Sequence, residues 1–160
     1  MEDLVLPQEP LTKIERCLEA LLHRSRAVCV MLADIAGLLI CETGNRGFLD
    51  PVALAALAAS NMAATAEMAK QIGEHAPFSY LFHEGERRHV YVSAVGSNLL
   101  LIIVFDQKTQ IGLVRIFARL ASGELGPLAL ELEPFMDRAG ATVDREFGNA
   151  LAEGLDQALA

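Results

Sequence analysis

Residues Ala27–Cys41 read AVCVMLADIAGLLIC and give the first clear indication of the fold. Its two apolar segments, Ala27–Ala33 and Leu38–Cys41, are rich in β-forming residues, and Asp34-Ile-Ala-Gly37 between them has the composition of a turn. A glycine at the end of such a turn accepts the positive φ that the reversal requires. The stretch therefore predicts a β-hairpin.

Helices are predicted on both sides of this hairpin. From Leu11 to Ser25, apolar residues recur every three or four positions, which is the pattern of an amphipathic helix. After the hairpin, Asp50 is a favourable N-cap, Pro51 suits the first helical position, and Gly73 suits the residue just past the end. These signals predict a second helix that runs to about residue 72.

The second helix is unusually rich in small residues, with nine alanines. We predict that its larger apolar residues face the sheet as one stripe, formed by Leu54, Leu57, Ala64, Met68 and Ile72. Another side carries mostly small residues that would let a second backbone approach closely: Ala53, Ala56, Ser60, Ala63 and Glu67. Because the helix is apolar nearly all round, we expect it to be covered on two sides, which favours a partner. The alternative is that alanine serves helix propensity alone.

Three more strands and one helix follow Pro77. The strands are predicted at Phe78–His83, His89–Val95 and Leu99–Phe105, and the helix at Gln110–Ala121. The last strand is apolar on both faces, which is typical of a central strand with helices above and below it. The order is α-β-β-α-β-β-β-α, which indicates an α/β (α+β) fold.

The strand Phe78–His83 carries three aromatic side chains and is expected at an edge of the sheet. Because an open apolar edge invites pairing with another chain, we predict a homodimer in which Phe78, Tyr80 and Phe82 form the interface. The alternative is an ordinary edge that the chain's own C-terminal segment covers.

The segment Ser122-Gly-Glu-Leu-Gly-Pro127 predicts a domain boundary, and the residues beyond it carry −5 of the net charge of −8. The net charge is −8 with a pI near 4.9, and this acidity argues against binding to nucleic acid. We predict a tail at residues 1–10, a domain at 11–125, and an acidic extension at 126–160 that is partly helical or disordered. In the extension, Phe147, Leu151 and Leu155 recur every four residues as an apolar stripe.

No motif in the sequence points to an active site, and we predict no catalytic residue, no metal and no cofactor. His83 and His89 are six residues apart, whereas zinc-binding histidines on a helix are four apart. Three widely spaced cysteines indicate buried thiols in a reducing compartment: Cys17, Cys29 and Cys41. With no signal peptide pattern and no apolar run near the ~20 residues of a membrane helix, we expect a cytoplasmic protein without membrane insertion.

Several short sequence motifs occur in the same order and with the same spacing as in one protein family. They are ADIAGLLI (33–40), AKQIGE (69–74), FHEG (82–85), VGS (95–97) and residues 100–115. Over about residues 11–125 the chain resembles the bacterial MglB branch of the Roadblock/dynein light-chain family. The resemblance implies a five-stranded antiparallel sheet with one helix on one face and two on the other. It also implies a homodimer formed by pairing of the third strands and packing of the central helices.

The resemblance also implies a function. MglB-type dimers bind MglA, a Ras-like GTPase that switches cell polarity or motility, and stimulate its GTP hydrolysis by reshaping its switch loops, without supplying an arginine finger. The implied GTPase contacts are Ala56, Ser60, Ala63 and Glu67, although relatives tend to have a small residue where this chain has Glu67. Relatives also touch the GTPase with an acidic C-terminal extension, which implies the same role for Phe147, Leu151 and Leu155.

The interpretation as a GTPase regulator leads to two further expectations, and three other functions stay open. Deletion of residues 127–160 is expected to leave the dimer intact and to alter GTPase binding, and the protein is expected in the cytoplasm, concentrated at a cell pole. One alternative is a Roadblock scaffold subunit that holds a GTPase or motor complex without affecting hydrolysis. The others are a small-molecule sensor, which needs a concave polar pocket, and an enzyme.

Overall fold

The computed structural model describes residues 6–159, except for the side chains of residues 138–144, 146, 147, 156, 158 and 159. The elements are α1 (Gln8–Ser25), β1 (Cys29–Asp34), β2 (Leu39–Gly44), α2 (Pro51–Gln71), β3 (Tyr80–His83), β4 (Arg88–Val95), β5 (Leu99–Asp106) and α3 (Ile111–Leu159). The predicted α-β-β-α-β-β-β-α order is confirmed.

The five strands form one antiparallel sheet in the order β2-β1-β5-β4-β3. Every residue of β5 except the last is buried, as its apolar sequence predicts for a strand covered on both faces. One core joins α1 and α3 to the first face of the sheet, and a second core joins α2 to the other face. The predicted arrangement of one helix on one face and two on the other is therefore confirmed.

The β1–β2 hairpin turns where the sequence predicts. Asp34 closes the turn, because its carboxylate accepts the N–H of Leu38 at 2.8 Å and its carbonyl accepts the N–H of Gly37 at 3.0 Å. Gly37 has a φ of 95°, and a Cβ built on it would lie 2.8 Å from the Cα of Ala56. Glycine is thus required both by the turn and by the close approach of α2.

The predicted ends of α2 are also confirmed. The Asp50 carboxylate accepts the N–H of Ala53 at 3.1 Å, Pro51 occupies the first position, and Gly73 follows the helix with a φ of 83°. By length and apolar composition α2 alone among the described helices could cross a membrane, a criterion that core helices of folded domains also meet. Here its alanines pack on the sheet, so α2 is a layer of the domain.

The predicted sheet-facing stripe of α2 is wrong. Leu57, Met68 and Ile72 are 67%, 59% and 69% exposed, Ala64 is exposed, and Leu54 is only half-buried. The buried face is made of alanines instead: Ala55, Ala58, Ala59 and Ala69. Small side chains let the helix axis come close to the sheet, where larger strand residues such as Met31, Ile102 and Val104 fill the core.

The predicted end of the last helix at Ala121 is wrong as well. Helix α3 continues to Leu159, and Leu125 and Leu132 are fully buried in the core with α1. The Glu133 carboxylate accepts a hydrogen bond from the Asn98 side chain, which ties this part of α3 to the β4–β5 turn. The folded core therefore extends past the predicted boundary at residue 125. At the other end, α1 begins at Gln8, inside the predicted tail.

Candidate protein-interaction surface

The first part of the candidate surface is a small-residue stripe on α2, formed by Ala56, Ser60, Ala63 and Glu67. All four are exposed, and their spacing of three or four residues places them on one side of the helix. The Ser60 hydroxyl donates to the Ala56 carbonyl at 3.0 Å, and the Glu67 carboxylate pairs with Lys70 at 2.6 Å. The Ser60 and Glu67 side chains thus form their polar contacts along the helix itself. The stripe therefore stays flat and is accessible to another protein. The four residues that the resemblance implies as GTPase contacts therefore lie together on one exposed side of α2.

The second part is an apolar stripe on α2, formed by Leu57, Asn61, Ala64, Met68 and Ile72. The Asn61 side-chain nitrogen lies 2.7 Å from Nε2 of His83, at the end of β3. The apolar stripe therefore runs beside the β3 edge of the sheet, whereas the small-residue stripe begins beside Gly37, in the β1–β2 turn. The sequence analysis predicted that most of these residues pack against the sheet. It therefore did not identify them as an exposed surface.

Strand β3 is an edge strand, as predicted, and no strand between residues 6 and 159 pairs with its outer side. Its aromatic rings, however, already pack on the chain's own core. The Tyr80 ring stacks on Tyr91 at 5.2 Å, and the Phe82 ring stacks on Phe105 at 5.9 Å. Phe78 precedes the strand and is half-buried. A second copy would therefore meet mainly the β3 backbone and the apolar stripe, and the interface role of these aromatic residues stays a prediction.

The C-terminal residues of the predicted site lie elsewhere. Leu151 and Leu155 are exposed one turn apart on α3, while the side chain of Phe147 lies outside the described residues. Because α3 packs on the opposite face of the sheet from α2, one chain does not bring these leucines together with the small-residue stripe.

The cysteine and histidine side chains that the structure describes lie apart from one another. Burial raises the pKa of the Cys17 thiol to about 12 and that of Cys41 to about 11, so both are protonated and weakly nucleophilic at neutral pH. His83 contacts α2, whereas His89 packs against Phe105 on the other face of the sheet. Among the residues that the structure describes, no cluster of three or more His, Cys, Asp or Glu side chains could hold a metal ion.

Comparisons with known proteins agree with this architecture. Residues 13–105 match the Roadblock/LC7 domain family. The structure of Myxococcus xanthus MglB is 38% identical with a TM-score of 0.74, over 80% of this chain and 96% of that chain. The gliding protein MglB of Thermus thermophilus is 33% identical with a TM-score of 0.73, over 82% and 98%. An MglB with a tetrameric arrangement shows the same identity and coverage, with a TM-score of 0.74.

No curated protein sequence matches the chain significantly. The family match spans more than half of the chain, and the MglB structures match it along nearly their whole lengths. This fold is that of a regulatory scaffold family and is not a known catalytic fold. The chain therefore belongs to the Roadblock/LC7 domain family and is similar to MglB proteins in both sequence and structure.

Proposed function

We propose that the protein is a homodimeric regulator that binds a Ras-like GTPase of the MglA type and stimulates its GTP hydrolysis, with no active site of its own. The observation that carries the proposal is the exposed small-residue stripe of α2 in a chain that is similar to MglB. We further propose that it acts in the cytoplasm, concentrated at a cell pole, where it controls polarity or motility.

The small-residue stripe suits contact with a flexible switch loop. Alanine and serine side chains allow the partner's backbone to come close to the helix, where longer side chains would hold it away. GTP hydrolysis depends on positioning of the attacking water and of the groups that stabilise the transferring phosphate. A rigid surface that holds the switch loops in the competent geometry lowers the barrier without donating a catalytic group. α2 contains no arginine, so this helix supplies no arginine finger, and activation through it is proposed to act by positioning.

Self-association through the β3 edge and the apolar stripe completes the proposal. These two features are adjacent, since Asn61 of the stripe contacts His83 of β3. A two-fold axis perpendicular to the sheet, beside β3, would pair the two strands antiparallel and place both α2 helices on the same face, where Leu57, Met68 and Ile72 of both copies would be buried. Such an interface combines main-chain hydrogen bonds with a hydrophobic centre. The tetrameric arrangement of one MglB relative supports self-association in this family.

A binding experiment tests the site. A GTPase of the MglA type from the same genome is loaded with a non-hydrolysable GTP analogue or with GDP, and its affinity for the purified protein is measured by calorimetry. A regulator that acts on hydrolysis binds the GTP-like form more tightly, because that form presents the ordered switch loops. Equal affinity for both forms would favour the scaffold alternative, and no binding to either form would contradict both.

A further inference from the structure

A polar cavity of about 250 Å³ lies between α3 and the β3–β4 edge of the sheet. It is on the opposite face of the sheet from α2, and it belongs to neither stripe described above. Seven of its lining residues carry hydroxyl or guanidinium groups: Ser79, Tyr80, Tyr91, Ser93, Arg115, Arg119 and Ser122. In a protein with a net charge of −8, this is a local concentration of positive charge and hydrogen-bond donors.

Arg115 and Arg119 supply the positive charge. They lie one turn apart on the same side of α3, and the Arg115 guanidinium sits 4.6 Å from the centre of the Tyr80 ring. Stacking on the ring holds this guanidinium at the cavity. Within the described part of the chain, neither arginine forms an ion pair with a carboxylate. Two neighbouring cations without a protein counterion attract an anion.

Ser93 forms part of the cavity wall and adds a buried hydroxyl to it. The residue is only 6% exposed, and its Oγ forms no hydrogen bond of good geometry among residues 6–159, although it lies close enough to the Tyr91 hydroxyl to oppose the effect of burial on the pKa of that group. A buried hydroxyl without a partner is costly, and most such groups in proteins are satisfied. Tyr91 lies next to it in the wall, and burial raises the pKa of its hydroxyl, so that this group stays a neutral donor.

We propose that this cavity binds a small phosphate monoester, with Arg115 and Arg119 pairing with the phosphate oxygens and Ser93 donating its hydroxyl. Two guanidiniums match the charge of a dianion and the fork geometry of phosphate oxygens. The hydroxyls of Ser93 and Ser122 provide donors for further oxygens, of which phosphate has more than a carboxylate. The size of the cavity limits the organic group to a compact one.

The test is calorimetric titration of the full-length protein with inorganic phosphate and with glycerol 3-phosphate. We expect saturable binding that Arg119→Gln weakens at least about tenfold, because one charge-assisted contact is lost. Ser93→Ala should weaken binding to a smaller extent. Arg145→Gln changes an exposed arginine of the same helix and should leave the affinity unchanged. Circular dichroism without ligand establishes that each variant is folded.

Three results would overturn the proposal. They are the absence of saturable binding, wild-type affinity in Arg119→Gln, and malonate binding as tightly as phosphate, which would indicate a carboxylate site instead. The measurement uses no GTPase, so its outcome is independent of the proposed action on GTP hydrolysis.

Discussion

At the scale of residues, the proposed GTPase contact depends on side chains that are small. Ala63 lies in the middle of the small-residue stripe and is exposed. Ala63→Arg would extend a long charged side chain from the helix and hold the partner away from it. We expect this variant to lose GTPase binding while it keeps the fold and the dimer, as measured by calorimetry and light scattering.

Ala20→Arg is the matched control for this variant. It makes the same change at an exposed position of α1, on the opposite face of the sheet from α2. GTPase affinity should therefore stay at the wild-type value. If Ala63→Arg retains wild-type affinity, or if Ala20→Arg loses as much, the assignment of the small-residue stripe is wrong.

A second residue-scale prediction concerns the part of α3 beyond residue 125. Leu132 is fully buried in the core, whereas Leu130 on the same helix is 65% exposed. Leu132→Ala should lower the free energy of unfolding by about 2–5 kcal/mol, because it leaves a cavity in a packed core. Leu130→Ala should change it by less than about 0.5 kcal/mol. Urea denaturation measures both, and equal effects would show that the core ends before this turn of α3.

At the scale of elements, α3 has both a structural and a proposed binding part. Deletion of residues 127–160, which the sequence suggested would be harmless to the dimer, removes Leu132 and the hydrogen bond between Glu133 and Asn98. That deletion is expected to destabilise the domain. Deletion of residues 145–160 keeps these contacts and removes the exposed Leu151 and Leu155.

The shorter deletion separates the two roles. We expect it to leave the melting temperature and the dimer unchanged and to reduce the affinity for the GTPase, because the apolar stripe of the extension is lost. Thermal unfolding and calorimetric titration measure the two effects. Unchanged affinity would mean that the extension does not touch the GTPase, and a large fall in melting temperature would mean that the core extends further than Leu132.

The ends of helices and the positions of turns could be predicted well from the sequence, because neighbouring residues determine them. Asp50, Pro51 and Gly73 set the ends of α2, and Gly37 with Asp34 sets the hairpin turn. The buried face of α2 could not be predicted in this way, since nine alanines give every side of the helix a similar apolarity. Which side packs depends on the larger residues of the facing strands. Similarly, Gly123, Gly126 and Pro127 resemble a boundary, but packing of Leu125 and Leu132 continues the helix through them.

At the scale of the whole molecule, α2 offers two surfaces that face different directions. The apolar stripe runs beside β3, and the small-residue stripe begins beside the β1–β2 turn. One helix can therefore contribute to a dimer and to a GTPase contact at the same time. The set of residues in the small-residue stripe was predictable from helical spacing and from the resemblance to the family, whereas the apolar stripe emerged only once the buried face was known.

The proposed dimer makes a prediction of its own. Met68→Arg places a charge in the centre of the apolar stripe, where a second copy would bury it, so the dissociation constant of the dimer should rise at least about tenfold. Sedimentation velocity measures this, and Ala63→Arg serves as the control that remains dimeric. A Met68→Arg protein that dimerises as tightly as the wild type would place the interface elsewhere.

The proposed function requires that the small-residue stripe of α2 accelerates GTP hydrolysis on a Ras-like partner. Single-turnover hydrolysis by the MglA-type GTPase of the same genome tests it most directly, with no added protein, with the wild type, and with Ala63→Arg. We expect the wild type to raise the rate at least about tenfold and Ala63→Arg to leave it at the intrinsic value. A rate that the wild type does not change, or that Ala63→Arg raises equally, would contradict it.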